Sequence, residues 1–332
     1  MQQPLPLKIL GAGRYLPQRV VPSCEVENLC QLPPGWIERN SGVCERRWAN
    51  ADETNSFMGA AAAQEAIADA GIAATAIDLI INASGSAEQE IPDTAPLIQR
   101  RLGLGHSGIA CLSIHATCLS FLVALDTCAS LLASGRYRYI LLVTSEIASV
   151  GLNPAEPESA SLLGDAAAAV TLTATPPGEK SGLSTARLET YGDGAYYTQV
   201  AGGGTRHHPN KPGVQATDNL FHMEGKAIAH FALRHSPAFL ERLRPGLSKG
   251  LADIALVVPH QASLLALRTL SKFGWPQEKI MVTLDHLGNC IAASIPATLY
   301  AAIRQGRLQR GDEVLLVGTG AGLSLGGVIL VY

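Results

Sequence analysis

Residues 113–146 read SIHATCLSFLVALDTCASLLASGRYRYILLVTSE, and the order of patterns within them decides the fold. Apolar side chains recur at helical spacing from 118 to 134, and Gly135-Arg136 closes that run. The next stretch, YILLVTSE (139–146), opens with five apolar residues in a row, as expected of a strand covered on both faces. A helix feeding a fully buried strand predicts α/β units on a mostly parallel sheet. IDLIINAS (77–84) and AAAAVTLTA (166–174) supply further buried strands on either side.

The second half repeats this plan. IALVVPHQA (254–262) matches the strand at 77–84, and GRLQRGDEVLLV (306–317) matches GRYRYILLV (135–143). Cys118 and Asn289 each lie 17 residues before the corresponding glycine (135 − 118 and 306 − 289). The expectation is one unit used twice, with Cys118 and Asn289 at equivalent helix starts. TPPGEKSG (175–182) breaks the pattern, so the halves are drawn as 1–177 and 178–332. GGGTRHHPNKPGVQATDN (202–219) is too polar and Gly/Pro-rich for core and reads as a long functional loop.

Composition narrows the partners. Of 332 residues 47% are hydrophobic and 16% charged, ample for a deep core and unlike a disordered chain. A net charge of -3 argues against nucleic-acid binding. No apolar run reaches the roughly 18 residues that a membrane span needs. MQQPLPLKILGAG lacks the design of a signal peptide, so a soluble, cytoplasmic protein is expected. Seven cysteines without a CxxC pair give no zinc pattern, and most should be small buried thiols.

Four places carry chemistry. Cys118 stands where a strand turns into a helix, and a helix N-terminus favours the nucleophilic thiolate. His260 closes a strand in LVVPHQAS, where α/β folds gather their reactive groups. Asn289 opens an Ala-rich helix in DHLGNCIAAS. GTGAGLSLGG (318–327) lets backbone N–H groups converge on an oxyanion. Each alone has a plain structural reading: an inert thiol like mid-helix Cys128, a structural histidine, an N-cap, a tight turn. GAGRYLP (11–17) lacks the spacing of a dinucleotide fingerprint, and Pro17 blocks the helix it needs. His207-His208 has no acidic or Cys neighbour in sequence and reads as solvated loop.

Taken in order, TCLSF, PHQA, GNCIAAS and GAGLSLGG resemble the β-ketoacyl-ACP synthase III family, the initiating condensing enzymes of the thiolase superfamily. WIERNSGVCERR (36–47) and LGDAAAAV (163–170) support the resemblance, which runs along essentially the whole chain. It implies a thiolase-like α/β fold, two duplicated halves forming a five-layered αβαβα sandwich. It implies an acyltransferase that loads an acyl group from acyl-CoA onto Cys118. Decarboxylative Claisen condensation with malonyl-ACP or malonyl-CoA would follow, with His260 and Asn289 holding the thioester carbonyl. The N–H groups of Cys118 and Gly322 would form the oxyanion hole. Trp36, Arg39, Gly225 and Lys226 would bind coenzyme A or its pantetheine arm. No metal and no cofactor beyond the thioester substrates are implied; acyl carrier protein and a second copy of the chain are the implied partners. AEQEIPDTA (87–95) resembles the segment that reaches the partner's pocket.

The chain also departs from the family pattern. Asn40 replaces an Arg, Lys226 an Asn, Leu265 a carrier-docking Arg, and His115 a small residue three before Cys118. These leave open an acyltransferase acting on an alcohol or amine, head-to-head acyl-CoA condensation, and a non-catalytic partner subunit. Thiolase proper would need a second cysteine in the glycine turn, and 319–322 holds none.

Overall fold

A computed structural model describes residues 3–250 and 253–332; the first two residues of the segment read for a leader lie outside them. The first sheet holds β1 (Lys8–Tyr15), β2 (Leu79–Asn82), β3 (Ala110–Ser113), β4 (Ile140–Glu146) and β5 (Ala166–Thr173). Its spatial order is β1-β5-β4-β2-β3. β2 runs parallel to both β3 and β4, while β5 is antiparallel to β4 and β1. The second sheet holds β6 (Gly182–Thr190), β7 (Ile254–Pro259), β8 (Glu313–Gly320) and β9 (Ser324–Val331) in the order β7-β8-β9-β6. Strand for strand, the directions repeat those of β2-β4-β5-β1. Among the described residues, a single parallel bridge, Val257 to Ile280, stands in the second half where the first has β3.

Strand alternation explains the layers. Leu79, Ile81, Ile140 and Leu142 of the first sheet face one core together with Leu256, Val258, Val314 and Leu316 of the second. Between them lie α2 (Ser120–Ala133) and α5 (Ser294–Arg304), through Phe121, Leu125, Ile295 and Leu299. The opposite faces, Ile80 with Leu141 and Val257 with Leu315, are covered by α1 (Asn55–Asp69) and α3 (Gly225–Leu243). A short helix, α4 (Leu264–Leu270), lies beside α3. The result is αβαβα, with strands buried on both faces as their unbroken apolar runs require. Among the described residues no helix is long and apolar enough to cross a membrane.

Two details differ from the sequence reading. The glycines of GAGRY lie inside β1 rather than after a strand. A Cβ at Gly13 would sit 2.1 Å from Ala62 O, so these glycines let α1 press onto the sheet. The long loop is clipped at its base by Thr198–Gln199 pairing with His222–Met223, and His207 lies 3.6 Å from Asp218, an acidic partner that the loop's own fold brings back to it.

Candidate active site

The Cys118 turn is a 3₁₀ segment, Thr117–Leu119, that runs into α2. Thr117 holds φ 51°, a left-handed conformation costly for a β-branched residue. Ser120 Oγ accepts from Ala116 N at 2.9 Å, and Thr117 Oγ1 donates to Ala321 O at 3.2 Å. The second hydrogen bond fastens the turn to the glycine-rich strand connection of the other half. The segment Ile291–Ala293 has the same form: Ile291 φ 47°, with Ser294 Oγ accepting from Cys290 N at 3.0 Å.

This match corrects the expected register. Ser120 corresponds to Ser294, an offset of 174 (294 − 120), so Cys118 corresponds to Ala292 and Asn289 to His115 (289 − 174). Counting back from Gly135 and Gly306 misplaced the equivalence because α5 has 11 residues and α2 has 14. Nor is Asn289 a helix cap, since the hydroxyl of Ser294 closes that turn.

Asn289 is instead built into a seam between the halves. Its N–H donates to Leu162 O at 2.7 Å, and its carbonyl accepts from Gly164 N at 3.1 Å. A Cβ at Gly164 would meet Leu287 O at 2.1 Å, and one at Gly288 would meet Leu162 O at 2.4 Å. Only glycine lets the chains approach this closely. Asn289 Oδ1 accepts from Ile291 N at 2.9 Å, which fixes the amide, while Nδ2 reaches Ala262 O at 3.5 Å. Ala262 stands two residues past His260.

His260 ends β7, where its N–H donates to Val317 O at 2.8 Å. The imidazole is buried, and its Nδ1 has no hydrogen-bond partner among the described residues. Desolvation lowers its pKa to about 4, so the ring is neutral at pH 7. A Cβ at Gly318 would lie 2.6 Å from His260 Cβ and 3.4 Å from Leu119 Cδ2. His260 and the neighbour of Cys118 therefore flank one glycine, and Gly85 is flanked likewise by Ile291 and the Thr117 carbonyl.

The thiol departs from the helix-tip argument. Burial pushes Cys118 up to about 11, outweighing the backbone N–H groups of Ala321 and of Cys118 itself, which pull it down. A 3₁₀ turn has little macrodipole, and desolvation of the charged form dominates. Ala321, one residue before Gly322, is the member of the glycine turn whose N–H reaches the sulfur.

Glu146, at the end of β4, was missed in the sequence although a charge closing an unbroken apolar run was its signal. It is fully buried and accepts from Gly85 N, from Ser86 N at 2.9 Å and from Ser86 Oγ at 2.6 Å. Burial raises its pKa to about 8 despite these donors.

The expected coenzyme A residues divide. Trp36 and Met223 pack on one apolar cluster with Leu264, and Gly225 starts α3 beside Glu158. Lys226 is exposed. Arg39 is turned onto its own loop, donating to Pro34 O at 3.2 Å, while Asn40 Nδ2 donates to Trp36 O at 2.8 Å.

A layered, duplicated fold with thiol, imidazole and amide around its centre defines a condensing enzyme of the thiolase type. Residues 112–192 and 248–332 match the 3-Oxoacyl-[acyl-carrier-protein (ACP)] synthase III model and its C-terminal counterpart. The chain is 32% identical to beta-ketoacyl-[acyl-carrier-protein] synthase III of Syntrophomonas wolfei, over 98% of this chain and 97% of that one. It is 32% identical to an acetoacetyl CoA synthase of Streptomyces sp. (strain CL190), over 96% of each. The crystal structure of the Aquifex aeolicus VF5 synthase III superposes with a TM-score of 0.87 at 31% identity, covering 98% of this chain and 100% of that one. The chain belongs to the 3-oxoacyl-[acyl-carrier-protein] synthase III family, and it is an acyl-transferring condensing enzyme.

Proposed function

We propose that the chain joins an acyl group carried on Cys118 to a malonyl thioester, with loss of CO₂. The observation that carries this reading is the neutral, buried His260 facing the Cys118 turn across Gly318. Cys118 enters as a thiol and sheds its proton as it attacks the acyl-CoA carbonyl; the uncharged imidazole can take it. Coenzyme A leaves as its thiol, taking that proton back from the imidazole, which is neutral again, and the acyl group stays on sulfur. In the second stage the malonyl C–CO₂⁻ bond breaks, and the electron pair moves onto the thioester oxygen as an enolate. His260, as a neutral donor, and Asn289 Nδ2, aimed by the Ile291 N–H on its other atom, hold that oxygen. The carbanion attacks the acyl carbon, and N–H groups of Cys118 and the Ala321-Gly322 turn receive the developing charge before thiolate departs. Electrons balance without a redox partner or a metal.

Residues 1–177 thus supply the nucleophile and 178–332 the groups that hold the second substrate. Trp36, Gly225 and Lys226 are assigned to the pantetheine entrance, and exposed Arg39, with one hydrogen bond to Pro34 O, to the coenzyme A end of that entrance. A homodimer is supported by the outer edge strand β3, with Leu112 on it, and by exposed Ile91 and Val150. Free cysteines among the described residues fit a cytoplasmic setting, and the carrier-protein synthases among the relatives support acyl carrier protein as a partner. Incubation with acyl-CoA and malonyl thioester tests the reading: 3-oxoacyl product and CO₂ should form in equal amounts, through an acyl-enzyme visible by intact mass. Acyl loading with no CO₂ in the presence of malonyl thioester would reject it.

A further inference from the structure

Glu146 is a buried carboxylate that none of the steps above uses. Its hydrogen-bond donors come from both halves of the chain. Gly85 N, Ser86 N and Ser86 Oγ belong to the turn after β2, and Ala292 N belongs to the middle of the Ile291–Ala293 turn. Two carboxylate oxygens accept about four such donors, so one side chain fastens both segments.

The duplication shows what Glu146 replaces. The offset of 174 that pairs Cys118 with Ala292 also pairs LLV at 141–143 with LLV at 315–317, and so Glu146 with Gly320 (320 − 146). A Cβ at Gly320 would lie 3.1 Å from Thr117 Oγ1 and 3.0 Å from Leu119 Cγ. Glycine there keeps the space beside the Cys118 turn clear. In the other half Glu146 reaches into the matching space, and the Ala292 N–H, counterpart of the Cys118 N–H, ends on its carboxylate. The side chains ahead of the two turns match as well. His115 Nε2 lies 3.1 Å from Gly85 O, and Asn289 Nδ2 lies 3.5 Å from Ala262 O.

We infer that Glu146 is a positioning residue for condensation: it fills the second turn's copy of the oxyanion hole and thereby aims the Asn289 amide at the second substrate. The inference rests on the reading above, in which Asn289 Nδ2 holds the enolate oxygen. The link is short. Ile291 N donates to Asn289 Oδ1 at 2.9 Å, which decides how the amide faces, and Ala292 N is the next donor along the turn. Ile291 holds φ 47°, and a β-branched residue keeps that conformation only where its surroundings impose it. The carboxylate on Ala292 N–H is one such restraint. Gly85 is the other, since a Cβ there would meet Ile291 Cγ2 at 2.8 Å and Glu146 Oε1 at 3.3 Å. A carboxylate serves every one of these donors, whereas a glutamine would turn its N–H₂ toward some of them. The role is geometric, and no bond is made or broken on Glu146.

The test follows acyl loading of Cys118 by intact mass, and 3-oxoacyl formation from malonyl thioester, in Glu146→Gln, Asn289→Ala and the double variant. Glu146→Gln should load within about threefold of the wild type and lose about thirtyfold in kcat for condensation. Its KM for the malonyl thioester should stay within about threefold, because the enolate oxygen exists only once CO₂ leaves. In the Asn289→Ala background the same change should cost less than about threefold, since the amide it aims is gone. Glu146→Asp keeps the charge but draws it back by one methylene; it should show the same pattern, and it serves where the glutamine variant does not fold. Losses that multiply in the double variant overturn the inference, as do equal losses in loading and condensation or a Glu146→Gln that condenses at the wild-type rate. If Asn289→Ala alone condenses like the wild type, the assignment of Asn289 to the enolate oxygen has failed, and the inference falls with it.

Discussion

The turns at Thr117–Leu119 and Ile291–Ala293 use one backbone device twice, each with a β-branched residue at positive φ and a serine hydroxyl three residues on. Their side chains diverge. The first places a thiol at the middle of the turn, where the second has Ala292; the second places an amide ahead of the turn, where the first has His115. His115 is exposed, with Nε2 3.1 Å from Gly85 O, whereas Asn289 is buried in the seam. Duplication supplies two matching turns, and the proposed roles of nucleophile and oxyanion donor rest on the asymmetry of their side chains.

The sharpest way to break this comparison is at the sulfur. Cys118→Ala should abolish acyl uptake by intact mass, a loss above about a thousandfold, whereas Cys128→Ala in the following helix α2 should load normally. At the matched pair, Asn289→Ala should still load an acyl group but condense about a hundredfold more slowly. His115→Ala should change condensation less than about threefold. Equal losses at 289 and 115 would show that the two positions share one role.

Smaller effects probe the seam and the ionisation states. A methyl at Gly164 would meet Leu287 O at 2.1 Å, so Gly164→Ala should lower the melting temperature and slow condensation more than loading. A cost of about 1–3 kcal/mol, read by thermal denaturation, is the expected size. With the Cys118 thiol near 11, its alkylation by iodoacetamide in the free enzyme should rise about tenfold per pH unit from 7 to 9.5. A plateau near pH 7 would mean a thiolate at rest. His260 has the opposite sign. Its folded pKa of about 4 lies below the unfolded value of 6.5, so condensation should persist from pH 7 to 5. The stability associated with its neutral form should fall as pH drops from about 6.5 toward 4, because only the unfolded chain takes up the proton there. A loss of condensation centred at 6.5 would show a solvated imidazole.

Local pattern made much of this protein legible. The mainly apolar runs at 77–84, 139–146 and 254–259 read as strands covered on both sides, and they are strands in the fold, with the helical run after Cys118 packed against them. PHQA and GNCIAAS stood out because polar groups there end strands or precede turns. The sequence by itself determined the α/β class, the buried strands and the residues worth watching, since period and burial act within a few residues of each other; the five layers came with the family resemblance, and the sheets expected to be mostly parallel are mixed. Tertiary structure alone decided how the two turns align, because a helix shorter by three residues shifts every count made from its far end. It also decided that the thiol rests protonated, that Arg39 donates to Pro34 O, and that Glu146 holds the Gly85–Ser86 turn. Desolvation and hydrogen-bond geometry depend on atoms brought from distant parts of the chain, and no local pattern carries them.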